Sequence, residues 1–92
     1  MNLKEGDVYT VLLQNHLKKA QQGFKYFRIK YWDGRDWIVR FIRPGDTDWI
    51  ALDESQIFSM IDRKVIREAT PHERLDAIIM ELKSMEVCSE NP

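Results

Sequence analysis

Apolar and polar side chains alternate through the middle of the chain in two runs, Phe24 to Tyr31 and Arg35 to Arg43, on either side of Asp33-Gly34. Alternation with a period of two is typical of strands that bury one face, and an Asp-Gly pair between two such runs indicates a β-hairpin. The loop length decides which side chains share a face, so the register can be predicted from burial.

A two-residue Asp-Gly loop would put Asp36 and Arg40 beside the apolar side chains of the first strand, which is a poor core. A three-residue loop, residues 32–34, lets Gly34 take the left-handed backbone conformation and pairs Tyr31 with Arg35. Burial favours this loop, and the buried face is then Phe27, Ile29, Tyr31, Trp37, Val39 and Phe41. The opposite face carries Tyr26, Arg28, Lys30, Ile38, Arg40 and Ile42.

Shorter apolar runs predict further strands on both sides of the hairpin. We expect strands at Val8 to about Gln14, at Trp49 to Leu52, at 57–62 and, as a strand or an extended connector, at 64–68. Asp53 is placed to open one helical turn before the run at 57–62. Residues 16–22 hold good helix formers but few side chains to bury, so a helical turn and a polar loop both stay open.

The end of the chain predicts an amphipathic helix. Thr70, Pro71 and Glu73 form the sequence of a capping box with proline in the first helical position. Apolar residues then recur at helical spacing, which predicts a helix from about 71 to 85 and a polar tail over 86–92. The apolar stripe consists of Leu75, Ile78, Ile79 and Leu82. A stripe of this width must dock on the rest of the chain or on another protein.

Five or six short strands, a long hairpin and a terminal helix predict a mainly β fold of the α+β class. The arrangement is that of a small SH3-like or Sm-like barrel with a C-terminal amphipathic helix, and an OB-like barrel is the alternative. The 92 residues make one domain, with the barrel at about 6–68.

Composition indicates the class of protein and its expected location. Hydrophobic residues make up 43% of the chain and charged residues 32%, as in ordinary globular domains. The apolar runs are too short to cross a bilayer, so we expect no membrane association. Cys88 is the single cysteine and cannot form an internal disulfide, which makes a cytoplasmic location the simplest expectation.

Charge is distributed unevenly although the net charge is only −1. Residues 16–43 carry eight Lys or Arg and two Asp, a net charge of +6, whereas residues 44–62 carry five acids and no base. Such segregation indicates either an interaction surface or an acidic segment that folds against the basic one.

The basic hairpin face is the first candidate site. Arg28, Lys30 and Arg40 share this face with Tyr26, and Trp32 stands at the hairpin tip. Cations follow a phosphate backbone while aromatic rings stack on unpaired bases, so the face could contact an anionic partner such as single-stranded nucleic acid or an acidic protein. Two plainer interpretations are a solvated sheet face, and a face that the C-terminal helix covers at Ile38 and Ile42.

The aromatic residues offer a second interpretation, a cage of Tyr31, Trp32, Trp37 and Trp49 around a methylated ammonium. The predicted register places Tyr31 and Trp37 in the core, which leaves such a cage incomplete. Trp32 lies in a turn where nothing local requires burial, and it is the best single contact candidate.

Catalytic and metal-binding patterns are not found in the sequence. His16 and His72 lack a second ligand at metal spacing, the serines lack a nucleophile motif, and no glycine-rich phosphate loop occurs. We therefore expect a non-enzymatic binding module without a cofactor or a small-molecule substrate. The alternative function is protein–protein interaction or homodimerisation through the C-terminal helix stripe or an open barrel edge.

Overall fold

A computed structural model describes residues 3–17, 19 and 22–89 of the chain. The elements in chain order are β1 (Val8–Val11), a 3₁₀ turn (Gln14–His16), β2 (Tyr26–Trp32), β3 (Trp37–Arg43), β4 (Asp46–Leu52), α1 (Glu54–Asp62), β5 (Ile66–Glu68) and α2 (Pro71–Ser89). Part of segment 16–22, whose conformation the sequence left open, lies outside the described residues, as do residues 90–92.

The five strands form one antiparallel sheet in the order β4-β3-β2-β1-β5. This confirms the mainly β fold with added helices. Among the described residues β4 and β5 are the two edges and do not pair with each other, so the sheet is open and lacks the closure of the predicted barrel.

The segment 57–62, predicted as a strand, is helical. Asp53 accepts a hydrogen bond from the Gln56 backbone N–H at 2.9 Å, and the Gln56 side chain accepts one from the Asp53 backbone N–H at 3.0 Å. This capping box satisfies two N–H groups at the start of α1, so the helical turn expected after Asp53 continues through Asp62. Ile57, Met60 and Ile61, at helical spacing, pack into the core.

The hairpin register differs from the prediction near the tip. Phe27 pairs with Phe41 and Ile29 with Val39, but an irregularity between Ile29 and Tyr31 makes Lys30 an extra residue. Trp32 then pairs with Trp37, so the predicted three-residue loop is wrong and the turn has four residues, 33–36. Asp33 organises this turn, because its carboxylate accepts hydrogen bonds from the backbone N–H groups of Arg35 and Asp36.

The bulge at Lys30 moves the side chains beyond it to the opposite faces. Tyr31, predicted as buried, is instead exposed beside Ile38. Trp37 lies on β3 and keeps its predicted inner face, but it is only half-buried. The four predicted core residues that precede the bulge or pair with residues before it are fully buried: Phe27, Ile29, Val39 and Phe41.

The two faces of the sheet pack against different helices. The inner face packs against α1 and includes the interlocked rings of Phe27 and Phe41, whose centroids are 5.2 Å apart. The outer face packs against α2 through a smaller buried cluster of Val8, Tyr26, Ile42, Ala69 and Ala77. The predicted basic face therefore lies under the C-terminal helix along much of its length.

Helix α2 begins at the predicted capping box and continues four residues past its expected end. The Thr70 hydroxyl accepts a hydrogen bond from the Glu73 backbone N–H, and the Glu73 carboxylate accepts one from the Thr70 backbone N–H. The face of α2 that packs against the sheet consists of Ala77, Glu81 and Ser84, with Met80 beside them. The apolar stripe predicted from the sequence points away from the sheet.

Candidate functional site

Three basic side chains of the hairpin converge on one carboxylate of α2. Arg28 Nη1 lies 2.5 Å from Glu81 Oε1, while Lys30 Nζ and Arg40 Nη1 each lie 2.9 Å from Glu81 Oε2. Arg28 and Arg40 are direct cross-strand partners, and Lys30 lies on the same face, as the alternation along β2 predicted. Like charges in such positions repel one another, and Glu81 relieves that repulsion. We call these four residues the Glu81 cluster.

The Glu81 carboxylate is nearly inaccessible, with a relative exposure of 2%. Burial raises the pKa of Glu81, but the ammonium of Lys30 and the guanidinium of Arg28 outweigh that effect, so the pKa lies below its ordinary value. The carboxylate is therefore ionised at neutral pH, and the cluster carries three positive charges against one negative charge.

The indole ring of Trp49 borders the Glu81 cluster on β4. The guanidinium carbon of Arg40 lies 3.8 Å from the ring centroid, within the distance of a cation–π contact, and Lys30 Nζ lies 6.0 Å from it. Trp49 pairs directly with Arg40 across the strands and remains exposed. The Nε atoms of Arg28 and Arg40 are buried without a hydrogen-bond partner among the described residues.

Tyr26, which the sequence also assigned to the basic face, is buried beneath α2. Its hydroxyl donates a hydrogen bond of 2.6 Å to Asp76 Oδ2. Burial, together with this bond to the carboxylate, raises the pKa of Tyr26 to about 12. Tyr26 thus joins α2 to β2 and presents no free ring for a ligand to stack on.

Trp32 is exposed at the hairpin tip, as the sequence suggested, but it is separated from the basic residues. It pairs with Trp37, and the two ring centroids are 5.3 Å apart. Because Trp37 packs against the inner core, Trp32 lies on the inner side of the sheet. The four aromatic residues of the hypothetical ammonium cage divide between two faces, with Tyr31 and Trp49 outside and Trp32 and Trp37 inside.

The second candidate site is the face of α2 that points away from the sheet. Leu75 is 57% exposed, Ile79 42% and Leu82 54%, and Ile78 is half-buried at the side of this row. Residues spaced by three and four lie next to each other on a helix, so these side chains form one continuous apolar strip. We call the four residues the α2 row.

Glu81 was not among the site residues predicted from the sequence. The signal that could have found it is the pair of small residues on the same side, Ala77 and Ser84, separated by two helical turns. Small side chains at that spacing mark a helix face that can approach a neighbouring sheet closely.

In the described part of the chain, no helix is both long and apolar enough to cross a membrane. Within those same residues, no group of three or more His, Cys, Asp or Glu side chains could hold a metal ion. Comparison with family models, curated proteins and solved structures finds no match for the chain. The candidate sites from which a function can be proposed are therefore the Glu81 cluster and the α2 row.

Proposed function

We propose that this protein is a non-enzymatic protein-interaction module that binds a partner through the α2 row. The observation that carries the proposal is the exposure of Leu75, Ile79 and Leu82, each above 40%, along one continuous line of a helix whose other face is buried. Single exposed apolar residues are ordinary on protein surfaces, whereas a contiguous apolar strip with polar borders is typical of an interaction site.

The geometry of α2 suits recognition by apolar contact. Residues at i, i+3, i+4 and i+7 of an amphipathic helix are the usual anchors when a helix packs into an apolar surface of another protein. The Glu81 cluster and the Tyr26–Asp76 hydrogen bond attach the opposite side of α2 to the sheet. The α2 row is therefore presented on a fixed support, which lowers the entropy that is lost on binding.

An anionic partner at the hairpin is the second candidate function. It is favoured by the excess positive charge of the Glu81 cluster and by the exposed ring of Trp49 beside it. It is disfavoured because Arg28, Lys30 and Arg40 already bind Glu81, which a phosphate would have to displace. Filter binding of mixed oligonucleotides at two salt concentrations tests it, since phosphate contacts predict strong salt dependence and no affinity at low salt would exclude it.

For the fold itself we propose an SH3-like class of small β fold whose sheet stays open. The support is a meander of four consecutive strands, with a fifth strand returning to pair with the first. If a partner binds to the added terminal helix of this fold, the sheet supports that helix and does not itself contact the partner.

A matched pair of substitutions tests the interaction module. Ile79→Asp puts a charge in the α2 row, and Leu12→Asp puts the same charge at a site of almost equal exposure, 42% against 43%, far along the chain and outside α2. Proteins captured from a lysate of the source organism are compared for the wild type and both variants. Each protein that is captured differently is purified, and calorimetry measures its affinity for the wild type and for both variants.

We expect at least one protein, which can be a second copy of the chain, to lose affinity with Ile79→Asp and to keep it with Leu12→Asp. The proposal would be contradicted if every captured partner bound the wild type and Ile79→Asp with equal affinity.

A further inference from the structure

We infer that the partner of the α2 row is a second copy of this chain, bound with the two α2 helices antiparallel. The inference rests on the proposed function, because it names the partner of the same surface. It is carried by two observations: the spacing of the apolar residues and the charges that border them.

The spacing of the α2 row is symmetric. Leu75 and Ile78 are three residues apart, as are Ile79 and Leu82, so the row has the same order of apolar positions from either end. A two-fold axis requires one surface to be complementary to itself in the reversed direction. With the axis between Ile78 and Ile79, Leu75 packs against Leu82 of the partner subunit and Ile78 packs against Ile79 of the partner subunit.

The charged border of the α2 row supports the antiparallel direction. Asp76 and Lys83 are seven residues apart and so lie on the same flank of α2, two turns from each other. An antiparallel two-fold brings equal flanks of the two helices together and places Lys83 near Asp76 of the partner subunit, twice by symmetry. In a parallel pair opposite flanks would meet, and this charge contact would not form.

Asp76 has a carboxylate oxygen that can accept a contact from Lys83 of the partner subunit. Its Oδ2 accepts the Tyr26 hydroxyl, while Oδ1 has no hydrogen-bond donor among the described residues. Lys83 is exposed and forms no ion pair within the described part of the chain. A contact across the two-fold axis would give both groups a partner.

The size of the α2 row determines the expected strength of the dimer. Four side chains from each copy make an interface smaller than the roughly 1,200 Å² at which standard stable complexes begin. We therefore expect a reversible dimer whose population depends on concentration, and not an obligate one.

Sedimentation equilibrium over a wide concentration range tests self-association. We expect the wild type and Leu12→Asp to dimerise alike, Ile79→Asp to remain monomeric, and Lys83→Glu to dimerise roughly three- to tenfold more weakly because it faces Asp76 of the partner subunit. At concentrations where the wild type is monomeric, circular dichroism and thermal midpoints should be the same for Ile79→Asp and the wild type, since Ile79 does not contribute to the buried core of the monomer.

Thiol cross-linking tests the direction of the helices. In a Cys88→Ser background, which removes the single native cysteine, Leu75→Cys and Leu82→Cys are prepared as separate proteins. A short bifunctional thiol reagent should join the mixture of the two proteins efficiently and each protein alone poorly. A parallel dimer would give the reverse pattern and overturn the inference.

Two further outcomes separate this inference from the proposed function. A wild type that is monomeric at every concentration overturns the homodimer, while a purified hetero-partner sensitive to Ile79→Asp would still sustain the interaction module. A dimer that forms equally well with Ile79→Asp overturns the homodimer through the α2 row and locates self-association elsewhere.

Discussion

Removing the charge of Glu81 is the most direct test of how α2 is held on the sheet. Glu81→Gln keeps the shape of the side chain but leaves Arg28, Lys30 and Arg40 around a neutral amide. Removing one partner of a buried ion pair costs about 3–5 kcal/mol, because the remaining charge is uncompensated. The side chains of Arg28 and Lys30 are 27% and 24% exposed and recover part of their hydration. The expected loss is therefore smaller, about 2–3 kcal/mol.

Chemical denaturation followed by tryptophan fluorescence measures this loss of unfolding free energy. Glu5→Gln is the control, since Glu5 is an exposed acid in the turn before β1 and its substitution should change stability by less than about 0.5 kcal/mol. If Glu81→Gln is as stable as Glu5→Gln, then Glu81 does not hold α2 on the sheet. The Glu81 cluster would in that case be no more than a weak surface ion pair.

The pH dependence of the same difference gives an independent check. The pKa of Glu81 is lower in the folded chain than its ordinary value of 4.5, so its contribution is fully present above that value and is lost as the pH falls through the folded pKa. We expect the difference between wild type and Glu81→Gln to be constant near neutral pH and to shrink below pH 4.5. A difference that stays constant into strong acid would refute the assignment of the loss to the ionised carboxylate.

Two further substitutions test the contacts at the start of α2. Tyr26→Phe removes the hydrogen bond to Asp76 and should cost about 0.5–1.5 kcal/mol of unfolding free energy; spectrophotometric titration of the wild type should show the Tyr26 phenol ionising only near pH 12, and its ionisation near pH 10 would contradict the buried bond. Thr70→Ala removes the N-cap and should cost about 1 kcal/mol, measured by the same denaturation, with Ser59→Ala at an exposed position of α1 as the control. Arg67 and the Thr70 backbone N–H lower the pKa of Glu73 to about 2, so the Glu73 side of this cap should persist until the pH falls to that value.

The hairpin shows how far a period-two pattern can be taken. The alternation of side chains correctly predicted that Phe27, Ile29, Val39 and Phe41 are buried, because only one assignment of the two faces puts all four on the same side. The prediction failed at Tyr31, because strict alternation assumes that the two strands pair without interruption. One extra residue at Lys30 turns the later residues of β2 to the opposite faces. Lys30 itself keeps its predicted face beside Arg28 and Arg40. The sequence holds no local signal for the bulge.

The error at residues 57–62 has a different origin. Ile57, Phe58 and Ile61 favour strands by intrinsic preference, but this preference is weak compared with end effects and packing. The Asp53–Gln56 capping box starts a helix immediately before them, and Ile57 then becomes fully buried on the face of α1 that meets the sheet. Giving the capping sequence greater weight than residue preference would have predicted α1.

The orientation of α2 could not be predicted from periodicity alone, because periodicity identifies the two faces of a helix and not the surface that each one meets. The surface that α2 meets carries Arg28, Lys30 and Arg40. Turning the α2 row toward it would bury three cations against leucine and isoleucine, with no carboxylate to offset the lost hydration. With Glu81 turned inward, the cations are paired and the small side chains of Ala77 and Ser84 allow close packing. The exposed apolar row and the buried acid are therefore two consequences of one helix rotation, which the charges of the hairpin select.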